Sequence, residues 1–149
     1  MTQVGSRMAL YLDNSDTVTN YYYTPGSQKC DAHQGFWITP PSENITITNF
    51  QTHGNGGKIS SDSIAYSSNI QITGLKFLSA GRFNMQVGDV RGLTITDSNF
   101  GSGNSLVFDA AVKSDPVILS NTTLSRITYA SQPGVDVRVT CFDVAPVRC

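Results

Sequence analysis

From Asn44 to Phe50 the chain reads NITITNF: apolar and polar positions alternate with a period of two and end on an aromatic. Near-copies return as NIQITGLKF from Asn69 and GLTITDSNF from Gly92. Setting the first inward apolar residue of each copy at position zero gives Ile45, Ile70, Leu93 and Val117, spaced by 25, 23 and 24 residues. Two places on stand Ile47, Ile72, Ile95 and Leu119, so each copy predicts a short strand with one buried face.

Position three is Thr48, Thr73, Thr96 and Ser120, and position four is Asn49, Gly74, Asp97 and Asn121. Asn, Gly and Asp tolerate a left-handed backbone, so the fourth column predicts one tight bend repeated along the chain. Apolar residues return after it as Phe50, Phe77, Phe100 and Leu124. The patches KIS at Lys58, FNMQV at Phe83 and SLVF at Ser105 supply a second wall for each repeat. Extended outward, the frame sets Leu10, Leu12 and Asn14 at positions zero, two and four of a first repeat. It sets Val139, Cys141 and Asp143 in a last one, where Phe142 breaks the Thr/Ser column.

A period of 22 to 25 residues suits a leucine-rich repeat or a strand-only solenoid. Leucine is sparse and no stretch shows a 3.6-residue period, which favours a parallel β-helix whose turns stack about 4.8 Å apart. The expectation is an all-β chain of about six coils over residues 1–134, interrupted by a long aromatic loop at 15–37. A closing strand and tail follow at 135–149, carrying the alternation Val135, Val137, Val139, Cys141.

Composition agrees. Charged residues are 14%, while Ser, Thr and Asn number 17, 15 and 10, side chains that compete with the backbone inside helices. A net charge of -1 gives no basic footprint for nucleic acid, and no apolar run is long enough to span a bilayer. Three cysteines are an odd count for a disulfide framework. Cys141–Cys149 is one conceivable bridge, and reduced thiols are the favoured reading. The segment CDAH places Cys30 and His33 three apart but lacks a second pair at matching spacing, so neither a metal site nor any other cofactor is expected.

Candidate chemistry falls in two places. The 15–37 segment holds Tyr21, Tyr22, Tyr23, Phe36 and Trp37 beside Asp16, Asn20, Asp31 and His33. Sugars present apolar C–H faces rimmed by hydroxyls, so flat aromatics next to short polar groups could receive them. Packing over the first coil or against a neighbouring subunit accounts for the same residues. Asp62, Asp89 and Asp109 form a loose acidic column on a third side, where two carboxyls about 5 Å or roughly 6.5–9.5 Å apart could cleave a glycosidic bond. Solvated turn residues are the alternative there. Asp97 belongs to the bend column, Glu43 is the sole glutamate, and His53 falls in the Gly-rich THGNGG. A lyase would need clustered acids beside Arg82 or Arg91, and none accompany them.

The three phrases resemble the right-handed, single-stranded β-helix of the pectin-lyase-like group, and their polar Asn/Gly/Ser style is most similar to bacteriophage tailspikes and tail fibres. The resemblance covers about residues 8 to 144 and carries no catalytic signature. It implies a virion-tail component made in the host cytoplasm, a homotrimer or part of a longer parent chain, and recognition of bacterial surface polysaccharide. Polysaccharide depolymerase activity, as a glycoside hydrolase, is the alternative it implies. Independently, a short solenoid has two open ends with unpaired strand edges, which predicts self-association.

Overall fold

The computed structural model describes residues 2–6, 8–25, 34–62, 64–108, 114–129 and 137–149. Among them every regular element is a strand. In chain order these are β1 (Thr2–Ser6), β2 (Met8–Leu12), β3 (Thr17–Pro25), β4 (Gln34–Ile38), β5 (Glu43–Thr52), β6 (Asn55–Ile59) and β7 (Ser67–Thr73). There follow β8 (Lys76–Phe77), β9 (Asn84–Val87), β10 (Val90–Thr96), β11 (Ser105–Phe108), β12 (Ser114–Leu124), β13 (Arg126–Tyr129) and β14 (Val137–Pro146).

Strands alternate between two parallel sheets. One runs β1-β3-β5-β7-β10-β12-β14, with β8 beside β5, and the other runs β13-β11-β9-β6-β4-β2. Each coil thus contributes one strand to each wall, and the chain winds a β-solenoid of about five turns. The register follows the repeated phrase. Ile45 pairs Ile70, Ile70 pairs Leu93, Leu93 pairs Val117, and Val117 pairs Val139.

The bends explain why the phrase needs its fourth position. Asn20, Asn49, Gly74, Asp97, Asn121 and Asp143 have φ of 56, 55, 70, 50, 45 and 51°. A second left-handed column, one residue before position zero, holds Ser15, Asn44, Asn69 and Gly92. Short amides do more here than tolerate the backbone. Asn49 donates its side-chain N–H to the Oδ1 of Asn20, Asn69 to that of Asn44, and Asn121 to that of Asp97, each at 2.7 Å. Backbone strain is thereby offset by hydrogen bonds between coils.

Position-zero and position-two residues from Ile45 to Leu119 are at most 1% exposed, and each fully buried side chain of this size stabilises by about 1.5–3 kcal/mol. Aromatics extend the stack, with Tyr21 on Phe50 at 5.2 Å and Phe77 on Phe100 at 4.7 Å between ring centres. Where Ser98 and Thr122 interrupt it, their hydroxyls are satisfied. Ser98 Oγ donates to the Thr96 carbonyl and accepts the Leu75 amide, while Thr122 Oγ1 donates to the Ser120 carbonyl. Buried Asn104 donates to the carbonyls of Ser79 and Phe100 and accepts the Phe83 amide, closing the corner ahead of β11. Gly57 leaves room for the Phe36 ring, which a Cβ there would overlap.

Three expectations change. Leu10 pairs Phe36 in the second sheet, so the first coil's bend is Asn20 and not Asn14; Val18, paired with Ile47, holds position two and Asp16 position zero. The 15–37 segment is largely strand, β3 and β4, because Tyr21 and Tyr23 point into the core as Phe50 does; residues 26–33 lie outside the described residues. β14 is the closing strand expected at 135–149: it ends the first sheet beside β12, and Val139 and Cys141 face the coil interior as their frame positions require. Finally, Cys141 and Cys149 are joined as a disulfide, Cα atoms 5.7 Å apart, in place of reduced thiols, whereas Cys30 lies outside the described residues.

Candidate functional site

The register of the second sheet stacks one outward residue per coil: Tyr11, Trp37, Lys58, Gln86, Val107 and Thr128. At the β2 end this column is aromatic and cationic. Tyr11 is 64% exposed and stacks on Trp37, ring centres 5.8 Å apart and planes 22° from parallel. On the other face of the column Lys58 places its ammonium 5.5 Å from the Trp37 ring centre. The indole Nε1–H donates to Ser60 Oγ, which fixes the ring on its strand. Among the described residues Lys58 has no carboxylate partner, and its ammonium faces the indole. The arrangement offers a free Tyr11 face, a rigid indole edge and a cation in one line along the solenoid axis.

Of the residues the sequence singled out, Trp37 belongs to this column. Tyr21 and Tyr23 do not: they are 3% and 0% exposed in the core and offer no ring face to a ligand. Burial pushes both phenols above their ordinary pKa, with the neighbouring Tyr21 adding to the shift at Tyr23. Tyr22 points outward from the first sheet, half-buried, its ring edge-on to His53 at 5.7 Å. His53 in turn shares a 3.0 Å hydrogen bond between Nδ1 and Ser79 Oγ. Asp31 and His33 lie outside the described residues, as does Asp109.

Asp62 is exposed in the turn after β6, and its carboxylate accepts the Ile64 amide at 3.0 Å, the bond of an Asx turn. Asp89 is 8% exposed in the two-residue corner between β9 and β10, where its carbonyl accepts the Ser67 amide. Arg91 lies over the exposed Tyr66 ring at 3.8 Å. Tyr11 and Lys58 were not singled out from the sequence. The signal for them is the second wall's register, which sets residues 11, 37 and 58 side by side. No family model, curated protein or solved structure matches this chain.

Proposed function

We propose that this chain is a polysaccharide-recognition module, a rigid β-solenoid of the tailspike or tail-fibre kind that reads bacterial surface glycan. The column of Tyr11, Trp37 and Lys58 carries the reading, because it joins aromatic surface to a cation with no carboxylate partner among the described residues, on a scaffold that needs no ordering before it binds. Trp37 is covered on one face by Tyr11 and on the other by Lys58, so a sugar ring stacks on the open face of Tyr11. Further sugars of the same glycan, running along the column, then meet the indole edge and the Lys58 ammonium. The reading is recognition without cleavage: Asp62 is occupied in its turn, and Asp89 is largely covered in its corner.

Trp37 is the only tryptophan, so intrinsic fluorescence reports this surface without a label. Titration with a panel of purified bacterial surface polysaccharides should shift or quench its emission saturably for at least one member. Tyr11→Ala and Lys58→Ala should each weaken that binding about three- to tenfold, the equivalent of roughly 0.5–1.5 kcal/mol. Binding of unchanged strength in both variants, or no response across the panel, would overturn the proposal.

A further inference from the structure

The C-terminal end of the solenoid differs from every interior level. Ile47, Ile72, Ile95 and Leu119 are sealed by a coil on either side, whereas Cys141, next in that column, is half-buried, as are Val139 and Val144. Among the described residues β14 pairs with β12 along one edge only, and its other edge has no partner strand. Over this end the tail folds back. Val147 packs against the core cluster, and Cys149 is bonded to Cys141. Between tail and strand lies an open cleft of about 470 Å³, bounded by Val139, Val144, Val147 and Arg148.

We propose that the β14 end is a docking surface for a second copy of this chain, kept covered by the Cys141–Cys149 bridge. The pairing is antiparallel and two-fold, centred on Thr140. It sets Val139 of one copy opposite Cys141 of the other on the inner side, so that each copy covers the other's open column. On the outer side it sets Arg138 opposite Phe142, twice. Phe142 is 57% exposed and ends a column otherwise made of Thr48, Thr73, Thr96 and Ser120. An exposed aromatic facing a guanidinium across the axis gives that departure a purpose. Pro146 lacks an N–H and blunts the far end of the edge, which limits the register. Two copies joined through β14 leave no further β14 edge, so association through this strand closes at two.

Opening takes a dithiol reductant. Its two thiols become a disulfide, and their two electrons and two protons leave Cys141 and Cys149 as free thiols. The tail is then no longer tied across the end.

The test begins with peptide mapping under non-reducing conditions, where a Cys141–Cys149 linked peptide is expected; its absence from the air-oxidised protein overturns the gate. Sedimentation equilibrium at micromolar concentration should then give 16.1 kDa for the oxidised chain and twice that in excess dithiothreitol. Cys149→Ser should behave as the reduced chain without any reductant. Phe142→Ser should return the reduced chain to a single copy while its far-UV circular dichroism stays that of the parent. Equal mass in both redox states, a reduced dimer that survives Phe142→Ser, or association that continues past two copies would each overturn the proposal.

Discussion

Replacing Gly74 separates two reasons a glycine can be required: space, or the hand of the backbone. An added Cβ would lie 3.5 Å from the Asn49 Cα and N, an ordinary van der Waals distance, so space is not the obstacle. The φ of +70° is. A side chain in the left-handed region costs about 1–2 kcal/mol, and a β-branched one sits at the upper end. Removing a glycine from the unfolded chain returns about 0.4–1 kcal/mol. Gly74→Val should therefore lose about 1 kcal/mol net, which for a chain of this length lowers the melting midpoint by about 2–4 °C. Gly74→Asn keeps the offset and avoids most of the penalty, since Asn49 and Asn121 already adopt this conformation in the same column. Its amide would also bridge Asn49 and Asp97, continuing the ladder that Gly74 interrupts. Thermal melts by circular dichroism should show the two variants moving in opposite directions, with the asparagine at or above the parent. If Asn proves as damaging as Val, the bend column is not what makes this position a glycine.

Two further outcomes follow from buried polar groups. Asn104→Ala strands the Ser79 and Phe100 carbonyls and the Phe83 amide in the interior, and urea unfolding should show a loss of about 2–4 kcal/mol; a loss under 1 kcal/mol would mean water replaces the amide without cost. Tyr21 and Tyr23, held neutral by burial, make stability depend on alkaline pH. Their folded pKa lies above the unfolded value near 10, so the folded state binds more protons there. Stability is full below pH about 10 and falls as pH rises from there through the raised folded values. Tyr21→Phe should flatten that fall in pH-dependent melts, and an unchanged slope would count against it.

The interior of the fold was legible because its signal is local. A two-residue period names the inward side chains, and Asn, Gly or Asp four places on names the bend, so the frame from Ile45 to Asp143 holds residue by residue. The first coil was misread for a physical reason. Its position zero is Asp16 and its inner aromatics are tyrosines, whose hydroxyls and clustering look like a loop although Tyr21 fills the same column as Phe50 and Tyr23 that of Thr52. The surface was legible only in part, because an outward column joins residues more than twenty apart with no local period. Trp37 stood out by type, whereas Tyr11 and Lys58 acquire meaning only once the second wall's register sets them beside it. The disulfide depended on how the tail returns over the last coil, which a separation of eight positions does not specify.

The central claim is that each copy of the phrase is one level of a single parallel stack. Nuclear Overhauser contacts between backbone protons test it most directly on isotopically labelled protein. Leu93 should contact both Ile70 and Val117, and the same pattern should join Ile45 to Ile70 and Val117 to Val139, always at separations of 22 to 25 residues. Contacts running in opposite chain directions between neighbouring phrases, as antiparallel hairpins produce, would contradict it.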